Sequence, residues 1–183
     1  NLSTDFDPTC TYNGVSATQA NEQTNSAANQ HGQIFVLNGA IADGSSYNVV
    51  WTPNASANMN CSHTAYSGAT APSNVPDANI ASSSDTTSKT VSLTTIADNC
   101  WVVGYSFGAG DPPVPSTGVT QRGTDQGNSN IGDSNGAVTP AGAYSMTWTR
   151  AVSISISVHM VSIAPSVAVA GGYPPTLLTM NVG

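Results

Sequence analysis

Residues 152–158 alternate without a break between apolar and polar side chains. Valine or isoleucine stands at every even position and serine at every odd position. In an extended chain, a period of two places one set on one face and the other set on the opposite face. This pattern predicts a strand with one buried face and excludes an amphipathic helix over the same residues.

The alternation shifts by one position at Met160 and Val161 and resumes at Ile163. A one-residue shift moves every later side chain to the other face of a sheet. We therefore expect a β-bulge or a bend in the strand at this point.

Short runs of β-branched and aromatic residues recur along the chain, separated by turn residues. No window of a dozen residues shows the apolar spacing of a helix. Residues 17–32 lack an apolar face and are expected to form a polar loop or a pair of strands. The longest loops are expected over residues 72–85 and 108–116. Further strands are predicted at residues 9–12, 33–37, 47–52, 60–66, 90–95, 99–105, 117–122 and 144–149.

Asn-Gly pairs and clusters of Ser, Pro and Gly lie between the predicted strands. Asn-Gly favours the tight turns that join antiparallel neighbours. About ten short strands without crossover helices are typical of antiparallel sheets packed face to face. The sequence therefore predicts an all-β protein, an antiparallel β-sandwich of the jelly-roll or Greek-key type, over residues 1–166.

The last part of the chain, residues 167–183, differs in character from the rest. Two glycines and two prolines within residues 171–175 predict a hinge. The run TLLTMNV follows at residues 176–182. We expect this run to be a detached C-terminal strand.

Four apolar residues of this strand would be costly to leave in water. Burying such a side chain is worth about 1.5–3 kcal/mol. The strand is therefore expected to dock on the sheet of its own chain or on a neighbouring subunit, and the sequence leaves both open. Docking on a neighbour is a head-to-tail contact, which generates an open filament unless its rotation closes a ring. The residues predicted to carry this contact are Leu177, Leu178, Met180 and Val182.

Charged residues make up only 7% of the chain, three Lys+Arg against ten Asp+Glu, and the net charge is −7. A typical soluble domain carries roughly 25%. Three scattered cations, Lys89, Arg122 and Arg150, cannot neutralise a phosphate backbone, so no nucleic-acid partner is expected. No segment approaches the ~20 consecutive apolar residues of a transmembrane helix, so no membrane insertion is expected either.

Ser, Thr, Asn and Gly take the place of charge in this chain. A surface of neutral hydrogen-bonding groups lacks the self-repulsion that keeps cytoplasmic proteins apart. The chain begins at Asn1 without an initiator Met or a signal-like apolar stretch, which is consistent with a processed mature protein. These features favour an extracellular or cell-surface location and association between identical subunits.

The three cysteines are Cys10, Cys61 and Cys100. They show no CxxC spacing, which argues against a zinc site. An odd number in a secreted protein predicts one disulfide and one remaining thiol. We assign the disulfide to Cys10 and Cys61, because Cys100 lies in an apolar run. Three buried thiols are the alternative.

Three Asn-X-Ser sequons begin at Asn1, Asn54 and Asn60. Asn54 follows Pro53 in a predicted loop, so it is the most accessible of the three and the predicted glycosylation site. The serine and threonine residues of 82–90 are equally open to O-linked sugars.

Residues 104–108 match the G-x-S-x-G elbow that exposes a nucleophilic serine in α/β-hydrolases. Ser106 would be the nucleophile, and Asp125 or Asp133 and then His159 would follow in the order of such a triad. The elbow needs a helix directly behind the serine, and the three prolines within residues 109–115 prevent one. We therefore expect a strand that ends in a glycine-rich turn, and no catalytic residues.

Neither a metal nor another cofactor is expected. The three histidines show no metal-ligand spacing, and Asp and Asn residues in turns need no calcium to explain them. Trp51, Trp101 and Trp148 each fall within a predicted strand, which favours packing in the core or against a sheet face over a platform for a sugar ring.

The sequence contains the stretches TYNGVSAT (11–18), AYSGAT (65–70), VSLTTIADNCWVVG (91–104), DSNG (133–136) and VSIAPS (161–166). Together they resemble a recurrent β-sandwich domain of uncharacterised surface, phage-associated and metagenomic proteins. The likeness spans roughly residues 9–166, implies a sandwich fold and carries no catalytic residues. Such domains usually have one or two strands before the first of these stretches, whereas this chain begins almost at it.

These features together favour a structural protein over an enzyme. Low charge, a neutral polar surface and a separate apolar strand favour a subunit of an extracellular filament or surface fibre that assembles by strand addition. The alternative is a receptor- or glycan-binding module of a phage or cell-surface appendage. Such a module would expose a tryptophan or tyrosine on a concave face or at loop tips.

Overall fold

A computed structural model describes residues 8–25, 30–38, 45–54, 61–67, 69–70, 80–124, 128–165 and 176–182. Within these ranges the chain forms fourteen strands and no helix. The first seven strands are β1 (Thr9–Tyr12), β2 (Val15–Ser16), β3 (Thr18–Asn25), β4 (Gln30–Asn38), β5 (Val49–Thr52), β6 (Cys61–Ser67) and β7 (Ala69–Thr70). The last seven are β8 (Ile80–Thr94), β9 (Trp101–Gly108), β10 (Val114–Pro115), β11 (Thr120–Thr124), β12 (Ser129–Asp133), β13 (Ala143–Pro165) and β14 (Thr176–Val182).

The described strands form three sheets, and all of their pairings are antiparallel. The largest sheet has seven strands in the order β10-β13-β9-β12-β11, with β7 and β8 also paired to β13. The second sheet has the order β3-β4-β14-β6, and the third has the order β2-β1-β5. The predicted all-β, antiparallel class is therefore confirmed.

Apolar clusters hold these sheets together face to face. One cluster, which includes Tyr105 and Ile34, lies between the seven-stranded and the four-stranded sheet. Another, which includes Cys10 and Phe35, lies between the four-stranded and the three-stranded sheet. Sheets packed across an apolar layer are the arrangement of a β-sandwich. The jelly-roll or Greek-key connectivity remains a prediction.

Strand β13 is 23 residues long and contributes to two layers. Its pairing with β8 shifts between Thr149 and Ile154, and its first part packs over one face of β9. A Cβ atom added to Gly104 of β9 would lie 2.5 Å from Sδ of Met146, so the two strands approach closely there. A third apolar cluster fills the space between these layers.

The bulge or bend predicted at Met160 and Val161 is wrong. The register between β13 and β9 runs without a shift from Ile156 to Ile163. Met160 and Val161 are both buried, in apolar clusters on opposite faces of the sheet. The apolar pattern changes face there because this part of β13 is covered on both sides.

Two polar segments adopt strand structure. The strands β3 and β4 pair with each other and cover most of residues 17–32, which confirms the expected strand pair. The loop predicted over residues 72–85 is wrong for residues 80–85, which belong to β8. Their partner is the second part of β13, so the pairing imposes a strand that the polar sequence does not reveal. Residues 71–79 lie outside the described residues.

Candidate functional site

The C-terminal strand β14 is an interior strand of the four-stranded sheet. Residues 177–182 pair with β4 on one side, and residues 176–182 pair with β6 on the other. The expectation of a detached strand is therefore not confirmed, because the single chain docks this strand on its own sheet. In this position the backbone N–H and C=O groups on both edges of β14 are paired. A detached strand would leave these groups without partners in the protein. The predicted assembly residues Leu177, Leu178, Met180 and Val182 stand opposite Asn38, Leu37, Phe35 and Gln33 of β4.

Without β14, a two-sided opening would separate β4 from β6. Both strands run antiparallel to β14 and therefore parallel to each other, so the strand that fits between them is antiparallel to both. Among the described residues, β6 pairs with no other strand, and β4 pairs otherwise with β3. We call this opening the insertion slot. It is bounded by residues 33–38 of β4 and 61–67 of β6.

The two walls of the insertion slot differ in burial. Residues 33–37 of β4 are buried at consecutive positions, so this wall is covered on both faces of the sheet. The side chains of β6 alternate between exposed and half-buried. A strand in the slot therefore has a neighbour that is covered on both faces. Strands in such layers are typically continuous apolar runs, and TLLTMNV is close to one.

The connection before β14 is longer than its observed position requires. Pro165 at the end of β13 pairs with Ala69, and Thr176 pairs with Ser67. Because Ser67 and Ala69 are two positions apart, the ends of the connection are at most about 18 Å from each other. Residues 166–175 can span about 36 Å when extended. The connection therefore has about twice the length that docking on its own chain needs.

A buried acid anchors the β6 wall of the insertion slot to the seven-stranded sheet. Asp133 of β12 is 2% exposed and accepts two hydrogen bonds from Arg122, at 2.7 and 2.8 Å. It also accepts a 3.0 Å hydrogen bond from the hydroxyl of Tyr66 on β6. Burial, followed by the charge of Asp133, raises the pKa of Tyr66, so this hydroxyl stays protonated as a donor. The sequence did not single out this anchor.

The structure does not bring Ser106 and His159 together. Ser106 is fully buried in β9 and stands opposite Val158, so these two side chains share one face of the sheet. The ring of His159 lies on the other face, against Tyr105 and Phe107. The G-x-S-x-G match is therefore the interior of a strand, and its serine is separated by the sheet from the proposed base.

Cys10 and Cys61 lie close enough for Cys61 to influence the pKa of Cys10. Cys10 is buried in β1, whereas Cys61 is exposed on β6. Burial, followed by the influence of Cys61, raises the pKa of Cys10 to about 12. Cys100 is buried in its bridge to Val138. The alternative of three buried thiols is wrong, because Cys61 is exposed, and the disulfide remains a prediction.

We expect oxidised glutathione to form the Cys10–Cys61 disulfide. The Cys61 thiolate attacks the glutathione disulfide and releases one glutathione thiol; Cys10 then attacks the mixed disulfide and releases the second. Alkylation of the unfolded product should label one cysteine of the three. A Cys61→Ser variant treated in the same way should keep both of its remaining thiols. Three labelled cysteines after oxidation of the original chain would contradict the pairing.

Other predicted sites occupy ordinary positions. Asn54 is exposed directly after β5, so the predicted glycosylation site is accessible. In the described ranges, no three His, Cys, Asp or Glu side chains are grouped as metal ligands. The same ranges contain no helix of the length and apolar character that a membrane crossing needs.

Two of the three Lys and Arg residues are engaged within the protein. Arg122 pairs with Asp133. Arg150 is 8% exposed, and burial lowers its pKa. Its guanidinium donates hydrogen bonds to the backbone carbonyls of Ser155, Ala109 and Asp111. Lys89 is therefore the one remaining cation of the sequence.

The tryptophans occupy two kinds of environment. Trp148 is fully buried, which confirms the expected core packing for this residue. Trp51 and Trp101 are half-buried. Each of these two packs against a buried apolar cluster, which confirms the expected packing in the core or against a sheet face.

Comparisons of the chain with protein-family models, with curated proteins and with solved structures found no match. The resemblance to a recurrent β-sandwich domain therefore stays a prediction.

Proposed function

We propose that this protein is the structural subunit of an extracellular filament or surface fibre, in which β14 of one subunit occupies the insertion slot of the next. The observation that carries this proposal is the position of β14. The last strand of the described chain is paired on both edges, between two strands that run parallel to each other. Such pairing can form within one chain or between two chains, because it uses the same backbone groups in both cases.

The connection to β14 supports an exchange between subunits. A strand that leaves its own sheet needs a connection that reaches a second molecule, and residues 166–175 can extend to about 36 Å. The sequence of this connection contains adjacent glycines and adjacent prolines. Glycine permits a change of direction, whereas consecutive prolines favour an extended chain. A contact of this kind is head-to-tail and propagates unless its rotation closes a ring.

The anchored β6 wall supports the same proposal. A subunit that is waiting for a donor strand must keep both walls of the slot in place. The hydrogen bond from Tyr66 to Asp133 joins β6 to the seven-stranded sheet without involving β14. The β4 wall is held by its pairing with β3 and by the buried cluster that contains Ile34 and Val36.

The charge distribution favours a joint made of backbone pairing and apolar burial. Arg122 and Arg150 are engaged within the subunit, and the net charge is −7, so few ion pairs are available between subunits. A neutral surface rich in hydroxyl and amide groups suits an extracellular protein whose copies associate.

A mixture of two variants, each with one introduced cysteine in addition to the buried Cys10 and Cys100, tests the exchange directly. In a Cys61→Ser background, one chain carries Thr64→Cys in the slot wall and the other carries Thr179→Cys in β14, and these positions are register partners. After the two chains are refolded together and mildly oxidised, we expect a covalent dimer on a non-reducing gel. Opposite positions on antiparallel strands lie at a separation that a disulfide can bridge.

Two controls make this experiment decisive. A chain that carries both cysteines reports whether the register is correct, because a strand docked on its own sheet cross-links at the monomer mass. Thr24→Cys, exposed on β3, replaces Thr64→Cys as a mismatched partner and should give no dimer. The proposal fails if the mixed variants stay monomeric while the double variant closes within the chain.

Removal of the strand and addition of salt give a second test. A chain without residues 176–183 should not assemble, whereas polymers of the full chain should persist in 1 M NaCl, since screening acts on charges that the joint scarcely uses. Electron microscopy and sedimentation measure both outcomes. Assembly of the truncated chain, or dissolution of the polymer by salt alone, would contradict strand donation.

A further inference from the structure

A cavity of about 580 Å³ opens between β5 of the three-stranded sheet and β6 of the four-stranded sheet. Three half-buried aromatic residues line it: Tyr12, Tyr47 and Trp51. The volume is within the range of small-molecule sites in proteins. Part of its lining, which includes Ser62 and His63, also belongs to the β6 wall of the insertion slot. The proposed filament joint uses the backbone pairing of that wall and does not account for the aromatic side of the cavity.

Contacts behind the cavity hold the aromatic rings in place. Tyr12 and Tyr47 meet edge to face, with ring centroids 5.6 Å apart and an interplanar angle of 74°. Trp51 meets the buried ring of Phe35 in the same way, at 5.2 Å and 76°. The N–H of Asn13 donates a 3.2 Å hydrogen bond to the carbonyl of Asn48, which ties the segment carrying Tyr47 to the β1–β2 turn.

Apart from Val49, Ala65 and Cys61, the remaining lining is polar, and it carries no formal charge other than what a histidine can take. Ser45, Ser46 and Asn48 are exposed on one side, and His63 is exposed on the other. No Asp, Glu, Lys or Arg is among the described lining residues. Hydroxyl and amide groups both donate and accept hydrogen bonds, as the hydroxyl groups of a sugar do.

We propose that this cavity binds a neutral saccharide. The C–H face of a pyranose ring is apolar and flat, which suits the faces of Tyr47 and Trp51, while its hydroxyl groups match Ser45, Ser46 and Asn48. A lipid or another wholly apolar ligand would displace water from these polar groups and offer them no hydrogen bond. An anionic sugar would meet no cation in the described lining and would approach a chain of net charge −7.

The proposal is tested with the full-length protein, independently of its assembly. A glycan array that contains neutral, sialylated and sulfated oligosaccharides first identifies the sugar class. The best neutral oligosaccharide is then titrated while tryptophan fluorescence is recorded. We expect binding to neutral glycans, with a fluorescence change that Trp51→Phe reduces.

Substitutions at Tyr47 separate a binding role from a folding role. Tyr47→Ala removes a ring face and should weaken binding at least tenfold, whereas Tyr47→Phe keeps the ring and should bind within about threefold of the original protein. The thermal unfolding curve of each variant shows whether the fold is retained. Trp101→Phe, in a half-buried tryptophan outside this cavity, should leave the affinity unchanged.

The glycan array and the Tyr47 variants test sugar binding alone, so their results can be told apart from those of the cross-linking test of strand exchange. An array without neutral hits at high protein concentration, or with acidic hits alone, would overturn the proposal. Equal affinity of folded Tyr47→Ala and the original protein would also overturn it. Sugar binding by a protein that shows no strand exchange would leave this inference standing and remove the filament proposal.

Discussion

Lowering the pH from 7 to 4 is expected to reduce the free energy of unfolding by about 3 kcal/mol through a single side chain, His159. Burial, followed by the charge of His31, lowers the pKa of His159 from 6.5 to about 3. In the unfolded chain the same imidazole takes up a proton near pH 6.5. The unfolded state therefore binds more protons between these values, and stability that is present above pH 6.5 is lost as the pH falls towards 3.

The surroundings of His159 favour the neutral ring. Its Nδ1 lies 3.0 Å from Oδ1 of Asn21, whose amide nitrogen donates to the carbonyl of Met160, so Nδ1 is the donor. Nε2 has no hydrogen-bond partner among the described residues. A Cβ atom added to Gly32 would lie 2.9 Å from this nitrogen, so the backbone packs directly against it. A second proton would therefore occupy a site without an acceptor.

Urea unfolding at intervals from pH 7 to pH 4 measures this effect, and His159→Phe provides the comparison. Phenylalanine suits the aromatic contacts with Tyr105 and Phe107 and takes no proton. Both proteins keep all other titratable groups, so the difference between their pH profiles belongs to His159. We expect a difference of about 1.4 kcal/mol per pH unit between pH 6 and pH 4. Parallel profiles would contradict the burial of a neutral imidazole.

The strand class of this protein was predictable because its signal is local. Residues 152–158 alternate with a period of two, and β13 covers them. The same pattern led to the wrong prediction of a bulge or bend at Met160 and Val161. Alternation indicates that one face of a strand is buried, and it cannot show that a second layer buries the opposite face as well. Burial on both faces depends on β3 and β4, which lie more than a hundred positions away in the sequence.

The sequence predicted the apolar strand that fills the insertion slot, but not where this strand lies in the fold. The apolar run in β14 predicts a strand that is buried. Its place between β4 and β6 depends on long-range register, which no short window contains. The cavity beside Trp51 was not predicted for a related reason. Trp51 is half-buried on β5, and its exposure depends on how the three-stranded and four-stranded sheets pack, which the local sequence does not show.

The contacts of the buried Asp133 side chain were also not predicted from the sequence. The sequence suggested a turn at DSNG, and this turn forms: Asn135 adopts a φ of 55°, and its N–H donates a 2.9 Å hydrogen bond to Asp133. The turn does not reveal that the same carboxylate also accepts hydrogen bonds from Arg122 and Tyr66. In a chain with few charges, one buried acid thus joins β6, β11 and β12.

Replacing Asp133 with alanine is expected to lower the free energy of unfolding by about 3 kcal/mol. The change removes the acceptor for Arg122 and for the hydroxyl of the half-buried Tyr66. Part of the arginine side chain is exposed and can be hydrated, at 36%, which keeps the loss below that of a fully buried pair. Urea unfolding at pH 7 measures the change.

Asn135→Gly is the matched control, because Asn135 also accepts a hydrogen bond from Arg122 but is exposed, and glycine tolerates its φ of 55°. Its loss should cost less than about 1 kcal/mol. The variants Arg122→Ala, Asp133→Ala and their combination form a double-mutant cycle, in which the combined loss should be smaller than the sum of the single losses by more than about 1 kcal/mol. Additive losses would show that Asp133 and Arg122 are not coupled. The link of this carboxylate to the β6 wall is the hydroxyl of Tyr66, so the same cycle with Tyr66→Phe in place of Arg122→Ala tests the anchor, and additive losses there would contradict it.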